Sequence, residues 1–103
     1  METIEKYSDV GNIINKDLVM IIAKTHTCTT CQSIAQILEN NLKHYDKIEK
    51  YSIYVDDIDL FRGEHLIFSV PTLLIFSNGK ELLRESRYFN YEKIDRLIEM
   101  FEI

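Results

Sequence analysis

One stretch of the sequence restricts the fold more than any other. Leu18–Ala23 is apolar at all six positions and stands between Asp17 and Lys24. A strand covered on one face alternates apolar and polar residues, whereas a strand buried on both faces is apolar throughout. We therefore predict a central strand over Leu18–Lys24. The run is too short to cross a bilayer, which needs about twenty residues in a helix.

Amphipathic segments precede and follow this strand. Apolar residues at helical spacing predict a short helix that is capped by Ser8 or Asp9 and ends near Lys16. A longer helix is expected from near Cys28 to about Tyr45, because apolar residues recur at helical spacing there as well. That apolar stripe is formed by Ile34, Ile37, Leu38 and Leu42.

The second half of the sequence predicts further strands and a last helix. Asn78-Gly79 indicates a two-residue hairpin turn, because both residue types tolerate positive φ. Asn90 is expected to cap the last helix. The other elements are predicted as a strand over Ile48–Val55, a short helix or loop over Ile58–Leu66, a strand over Thr72–Ser77 and its antiparallel partner over Lys80–Tyr88.

The order of these elements predicts an α/β fold. Strand–helix–strand units place two strands in parallel and join them by a right-handed crossover. The Asn-Gly hairpin then adds an antiparallel edge. We expect a small mixed central sheet with helices on both faces. The length of 103 residues, with no repeat or linker, indicates a single domain over residues 1–103.

The charge balance bears on location and partners. Acidic residues outnumber basic ones, 17 to 12, and the formal net charge is −5. Nucleic acids and anionic membranes attract basic surfaces, so neither is an expected partner. The N-terminus has neither a basic leader nor an apolar stretch, so we expect a cytoplasmic protein. Thiols are kept reduced in the cytoplasm, and a purely structural disulfide is therefore not expected.

The two cysteines are spaced C-x-x-C, as Cys28-Thr29-Thr30-Cys31, between the buried strand and the start of a helix. This context is typical of thiol–disulfide redox sites. Unpaired backbone N–H groups and the helix dipole favour a thiolate at a helix start. We therefore predict Cys28 as the exposed nucleophile. Cys31, one turn later, is predicted as the more buried thiol that resolves a mixed disulfide.

Two other interpretations of the cysteine pair carry less weight. Two ordinary cysteines of a core helix would not need the strand–CxxC–helix context. His26 adds a third potential metal ligand, but structural zinc takes four protein ligands and there is no second cysteine pair, so we predict no metal site. A protonated His26 would stabilise a Cys28 thiolate. An exposed loop histidine is the preferred interpretation, because the sequence shows no partner for it.

A second motif, Val70–Lys80, has the sequence Val-Pro-Thr-Leu-Leu-Ile-Phe-Ser-Asn-Gly-Lys. Together with the cysteine pair it closely resembles the thioredoxin family, over about Leu18 to Phe101. The resemblance implies a thioredoxin fold and a cis Val70–Pro71 bond beside the cysteines; cis bonds are essentially confined to X-Pro. It also implies that the backbone of Val70 pairs with the substrate chain, and it matches Asp56 to an aspartate at the end of the family's third strand. The N-terminal segment is short, so the family's first edge strand is expected to be reduced or absent.

Several positions depart from the family pattern. The family's Trp-Cys-Gly-Pro-Cys is here Thr27-Cys28-Thr29-Thr30-Cys31, and the dipeptide between the cysteines helps to set the reduction potential. The family's buried aspartate, which assists deprotonation of the second cysteine, falls at Ile22. Its lysine neighbour falls at Ser52. The absence of both charges together is physically reasonable, because a buried aspartate or lysine without its partner would be costly. Cys31 is left without an obvious base.

Other side chains bear on how such a site would work. Water, His26 and Lys24 are candidate acceptors for the proton of the second cysteine. Arg87 stands where the family has a glycine that faces the active site, so its bulk and charge are expected to narrow the choice of partner. Core packing is expected for most of the aromatic residues that would otherwise line a partner groove, namely Phe61, Phe68, Tyr88 and Phe89.

The expected function is that of a cytoplasmic protein-disulfide reductase in which Cys28 attacks and Cys31 resolves. The resemblance implies a monomer that acts on disulfide-containing proteins and needs no bound cofactor. Its electrons would come from a separate reductase or a low-molecular-weight thiol. The alternative is a redox-sensing or partner-binding module without catalysis, motivated by the changes at Ile22, Ser52 and Arg87. A third hypothesis is metal or iron–sulfur binding by the cysteine pair, with a dimer supplying the missing ligands.

Overall fold

The computed structural model describes residues 1–101, so the last two residues of the predicted domain lie outside the described part. Its strands are β1 Glu2–Ile4, β2 Val19–Lys24, β3 Glu49–Tyr54, β4 Thr72–Ser77 and β5 Lys80–Ser86. Its α-helices are α1 Val10–Ile14, α2 Ile34–Asn41, α3 Asp59–Glu64 and α4 Tyr91–Met100. Short 3₁₀ turns occur at Tyr7–Asp9, Thr30–Ser33 and Tyr45–Lys47. No helix within residues 1–101 has the length and apolar character that a membrane span requires.

The strands form one mixed sheet in the order β1-β3-β2-β4-β5. Strand β3 pairs in parallel with both β1 and β2, whereas β4 is antiparallel to both β2 and β5. The predicted mixed sheet is confirmed. The predicted central strand is confirmed as well, because β2 lies in the middle of the sheet and Val19–Ala23 is fully buried.

Both faces of β2 are covered, which explains its continuous apolar sequence. On one face, Ile21 packs in a cluster that also contains Phe61 of α3 and Val10 of α1. On the other face, Ile22 packs in a cluster with Leu38 of α2 and further residues of α4. The expected placement of helices on both faces of the sheet is therefore confirmed.

All five strands have one end at the same edge of the sheet. Because β2 and β3 are parallel, they end side by side, with Ala23 opposite Ile53. Strand β4 runs the other way and therefore begins at this edge, with Thr72 opposite both Ala23 and Ser86 of β5. The loops that leave or enter these strands are thus brought together, although they are far apart in the sequence.

The first edge strand was expected to be reduced or absent, and it is reduced. Strand β1 has three residues, Glu2–Ile4, and pairs in parallel with β3 from Glu2 opposite Tyr51 to Ile4 opposite Ile53. Only the third residue, Ile4, is buried. A strand with one core-facing residue has too short a pattern to be recognised from sequence periodicity.

The first two helices differ from the prediction at their ends. Neither Ser8 nor Asp9 caps α1: a 3₁₀ turn over Tyr7–Asp9 precedes the helix, and the Asp9 side chain makes no capping hydrogen bond. Helix α2 begins at Ile34, after the 3₁₀ turn Thr30–Ser33, and not near Cys28, and it ends at Asn41 and not near Tyr45. The residue after it, Leu42, is already extended, with φ −102° and ψ 121°.

The predicted turn and cap in the second half are confirmed. Asn78 and Gly79 both have positive φ, 51° and 84°, and join β4 to β5. A Cβ atom on Gly79 would lie 2.8 Å from Asn15 Oδ1, so the Asn15 side chain would have to shift, and the φ of 84° favours glycine independently. The Asn90 side chain accepts the Lys93 backbone N–H at 3.1 Å and caps α4. Strand β5 ends at Ser86, two residues earlier than predicted.

Asp95 explains why α2 stops early. This residue of α4 is 92% buried (8% exposed), and its carboxylate accepts the backbone N–H groups of Lys43 at 3.1 Å and His44 at 3.0 Å. These are groups that a longer α2 would have bonded within the helix. A carboxylate from a distant helix therefore holds the chain in its turn towards β3.

We expect Asp95→Ala to lower the free energy of unfolding by about 2 kcal/mol, because two partly buried N–H groups lose a charged acceptor. Glu92→Ala is the matched control on the same helix. Among residues 1–101 the Glu92 carboxylate pairs with exposed Arg96, at 3.0 Å, so its loss should cost less than about 0.5 kcal/mol. Urea unfolding of both variants measures the difference. Equal effects would contradict the role of Asp95.

Candidate active site

The two cysteines lie in the loop that leaves β2 at the shared edge of the sheet. The loop turns immediately, with the Cys28 N–H bonded to the Thr25 carbonyl at 3.3 Å. The Lys24 carbonyl accepts the Val55 N–H at 2.9 Å, which joins the ends of β2 and β3. Cys28 precedes the 3₁₀ turn Thr30–Ser33, so the segment after the loop begins as a 3₁₀ turn and becomes α-helical at Ile34.

Cys28 and Cys31 form a disulfide with their Cα atoms 5.3 Å apart. Cys28 is partly exposed, whereas Cys31 is only 2% exposed. This is the difference in exposure that the sequence predicts. The Cys31 backbone N–H donates to Cys28 Sγ at 3.2 Å, and Thr30 Oγ1 lies 3.4 Å from the same sulfur. Both contacts would stabilise negative charge on Cys28 when the disulfide is open.

The two positions at which the resemblance implies a charge pair are uncharged. Ile22 and Ser52 are paired across β2 and β3, and both are buried. The two positions at which the resemblance places an aspartate and a lysine are therefore neighbours, as a charge pair would require. Ser52 Oγ instead bonds Thr3 Oγ1 at 3.3 Å. No carboxylate at Ile22 is available to take the Cys31 proton.

His26 is exposed, as expected, and it has partners that the sequence did not reveal. Its ring stacks on Tyr54 with 3.8 Å between the ring centroids, and its Nε2 lies 2.8 Å from Asp57 Oδ2. Its backbone N–H donates to Asp56 Oδ2 at 3.1 Å. The hydrogen bond with Asp57 raises the pKa of His26 above its usual value. His26 therefore ties the cysteine loop to the end of β3.

Lys24 is drawn to the same side of the loop, with its Nζ 4.8 Å from the Tyr54 ring centroid. The two side chains considered as proton acceptors for Cys31 therefore both engage Tyr54. This arrangement follows from the parallel pairing of β2 and β3, whose ends lie side by side. In the sequence, the acidic pair Asp56-Asp57 soon after β3 is the feature that indicates it. His26, Asp56 and Asp57 also place potential ligand atoms within 4.8 Å of one another, but the hydrogen bonds account for that closeness.

On the other side of β2, a groove of about 330 Å³ runs between the start of α2 and the loop before β4. The Val70–Pro71 peptide bond is cis, as the resemblance implies. The Pro71 carbonyl accepts the Arg87 N–H at 2.9 Å, which fixes the loop after β5 against the loop before β4. The groove is lined by Thr30, Ile34, Val70, Pro71, Arg87 and Tyr88, among others.

The expectation of core packing for the four aromatic residues is half right. Phe61 is fully buried, and Phe89 packs against the cluster around α2 and α4. Phe68 and Tyr88 are about nine-tenths exposed, at 89% and 90%, and are not core residues. Both lie in loops outside the regular strands, where sequence periodicity carries no information on burial.

We expect Asp57→Asn to lower the pKa of His26, because the variant removes the hydrogen-bonding carboxylate. The raised pKa means that the folded state binds the proton more tightly than the unfolded chain does. The pairing therefore stabilises the fold at pH values below about 6.5, and this contribution is lost as the pH rises through the higher pKa of the folded state.

NMR titration of the histidine ring protons in both proteins measures this shift. His65 is the internal control, because within residues 1–101 its ring contacts Phe61 and Phe76 and not Asp57. Burial lowers its pKa, and this pKa should be the same in wild type and in Asp57→Asn. An unchanged pKa of His26 in the variant would refute the pairing.

Comparisons with known proteins agree with this geometry. The family model described as Thioredoxin matches residues 3–101. The Thioredoxin-like protein YdfQ of Bacillus subtilis is 33% identical over 69 residues, which cover 67% of this chain but 62% of that protein, less than two thirds of its length. Thioredoxin-1 of Saccharomyces cerevisiae is 28% identical over 78 residues, which cover 75% of this chain and 76% of the relative.

The fold is shared with solved structures as well. A structure of Plasmodium falciparum thioredoxin superposes with a TM-score of 0.79 at 24% identity, and the match covers 98% of this chain and 99% of that one. The predicted thioredoxin fold is therefore confirmed. The family match spans nearly the whole described chain, including the cysteine pair and the cis-proline loop. This chain belongs to the thioredoxin family.

Proposed function

We propose that this protein is a thiol–disulfide oxidoreductase that reduces disulfides in other proteins. The observation that carries the proposal is the disulfide between a partly exposed Cys28 and a buried Cys31 at the edge of the sheet. A partner sulfur can reach Cys28 from solvent, whereas Cys31 can reach only Cys28. Family membership supports the same chemistry.

The reaction proceeds in two exchanges. In the dithiol form, the Cys28 thiolate attacks one sulfur of the partner disulfide, forms a mixed disulfide and releases the first partner thiolate. The Cys31 thiolate then attacks Cys28 Sγ and releases the second partner thiolate. The partner gains two electrons and takes up two protons, and this protein ends with the Cys28–Cys31 disulfide. The Cys31 N–H, 3.2 Å from Cys28 Sγ, stabilises the Cys28 thiolate that starts the first exchange.

Val70 and Pro71 are assigned to partner binding. Val70 is partly exposed, lies on the cis bond and lines the groove beside Thr30. Its backbone would pair with an extended segment of the partner and hold the partner disulfide against Cys28. Pairing of this kind uses main-chain hydrogen bonds and tolerates varied side chains.

The proposal also covers the oligomeric state, the location and the electron source of the protein. The protein acts as a monomer in the cytoplasm, where reduced thiols are maintained. Protein disulfides are its substrates, and a separate reductase or a low-molecular-weight thiol supplies the two electrons for each cycle. No bound cofactor takes part in either exchange.

A redox-sensing or partner-binding module is the second candidate. The uncharged, buried pair of Ile22 and Ser52 favours it, because Ile22 provides no carboxylate to assist the release of the Cys31 proton. A protein with slow resolution would hold partners or change its oxidation state without turning over many disulfides. The two candidates differ in turnover, which makes them separable.

Insulin reduction with dithiothreitol as the electron source tests the proposal. Wild type should accelerate the precipitation of insulin, and both Cys28→Ser and Cys31→Ser should fall to the dithiothreitol background. Cys31→Ser should also accumulate a mixed disulfide with the partner, because the resolving thiol is missing, and Cys28→Ser should not. Ser33→Ala, an exposed position in the same turn, is the control and should retain activity.

The reductase proposal would be contradicted if folded wild type, with both thiols titratable, did not reduce insulin. A mixed disulfide that forms on Cys28 without turnover would then favour the partner-binding candidate.

A further inference from the structure

Arg87 has a backbone conformation that does not suit its side chain. Its φ is +63°, in the left-handed region where residues with a Cβ atom are strained. Glycine would occupy this position without strain. Such conformations persist when surrounding contacts hold them, and they cluster at functional sites.

Two backbone hydrogen bonds hold Arg87 in place. Its own N–H donates to the Pro71 carbonyl at 2.9 Å, and the next N–H, of Tyr88, reaches back to Ser86 at 2.7 Å. These contacts fix Arg87 to the cis-proline loop and make it part of the groove wall that also includes Thr30. The strained residue is therefore beside the disulfide and on the surface that a partner chain would cover.

The Arg87 guanidinium is unpaired. Within residues 1–101, no ion pair or side-chain hydrogen bond involves Arg87, whereas Arg84 pairs with Glu81 and Arg96 with Glu92. The nearest acidic residue in the sequence, Glu85, is engaged elsewhere: it accepts the Asn90 N–H at 2.9 Å and lies 3.7 Å from Lys93 Nζ. An exposed cation thus faces the groove without a carboxylate partner from residues 1–101.

Long-range electrostatics would not attract an acidic partner, because the chain carries a formal net charge of −5. The acidic groups nearest the cysteine loop, Asp56 and Asp57, lie at the end of β3, on the other side of β2 from β5. Lys24 and His26 lie on that same side and offset these carboxylates, so it offers an acidic residue of a partner no net positive charge, whereas the Arg87 side does. Guanidinium–carboxylate pairs also have a defined geometry, so Arg87 would favour partners whose acidic residue lies at a fixed position relative to the disulfide.

We propose that Arg87 makes this protein selective for disulfides flanked by an aspartate or glutamate, held by the guanidinium while the partner segment lies in the groove. The inference rests on the proposed reductase function and names its substrate class. Arg87 acts as a specificity-determining residue and takes no part in the exchange of sulfur. The strain at φ +63° is retained because glycine, which would relieve it, cannot supply the charge.

The test compares two short symmetric disulfide peptides that differ only in a glutamate or a glutamine next to the cysteine. Pre-reduced protein is mixed with each peptide in a single turnover, so no electron donor is involved. Each rate is divided by the rate of dithiothreitol on the same peptide, which removes the intrinsic reactivity of the disulfide. We expect wild type to favour the glutamate peptide by about threefold to fivefold, the range of an exposed ion pair.

The variants separate charge from shape. Arg87→Gly and Arg87→Gln should lose the preference for the glutamate peptide, and Arg87→Lys should keep part of it. The preference of wild type should also disappear at about 1 M salt, where the screening length is about 3 Å. Arg62→Gln is the matched control: this exposed arginine lies on α3, which packs on the opposite face of the sheet from the groove, and the preference should remain.

Arg87→Gly should unfold at a urea concentration no lower than wild type, which shows that a lost preference is not a folding defect. Equal corrected rates for the two peptides in wild type, or a preference that persists in Arg87→Gln or at high salt, would overturn this inference and leave the reductase proposal intact. Reduction of neither peptide by folded, pre-reduced wild type would overturn both.

Discussion

Burial of β2 on both faces is the constraint on which the rest of the structure depends. Val19–Ala23 is fully buried, and each face of this strand packs against its own helices. The strand therefore cannot slip or change register without exposing a core. Its last residue, Lys24, is already partly exposed, so the chain passes from the core to solvent within one or two residues. The cysteine loop begins at this boundary, which is why one cysteine is accessible and the other is buried.

Features encoded by neighbouring residues could be predicted from the sequence. The apolar run of β2, the Asn78-Gly79 turn and the cysteine spacing each depend on residues within a few positions of one another, and each was found where it was expected. Features that depend on distant residues could not. The early end of α2 is set by Asp95, about fifty positions away in the sequence, and the partners of His26 lie at the end of another strand. Sequence periodicity contains no information on such contacts.

The charges of this site lie at its rim and not beneath it. A buried charge pair between β2 and β3 must overcome a large desolvation cost, and Ile22 and Ser52 avoid it by carrying no charge. The ionisable groups around the disulfide are instead exposed: His26 with Asp57 on one side and Arg87 on the other. Exposed charges cost less to maintain but are screened by salt and depend on pH. Electrostatic interactions at this site are therefore weaker than those of a buried ion pair, and they change more with salt concentration and pH.

The two charged sides of the site, the end of β3 and Arg87, differ in charge. This difference favours one orientation of a bound partner segment over the reverse. The carboxylates near the end of β3 repel acidic groups most strongly when His26 is neutral, that is, at pH values above its raised pKa. Arg87 contributes a guanidinium on the other side, and an arginine is effectively always charged in proteins. If the backbone of Val70 aligns the partner in the groove, as proposed, only one direction places an acidic residue at Arg87 and away from Asp56 and Asp57. The contrast between the two sides, and with it the preference for that direction, should then increase as the pH rises through the titration of His26.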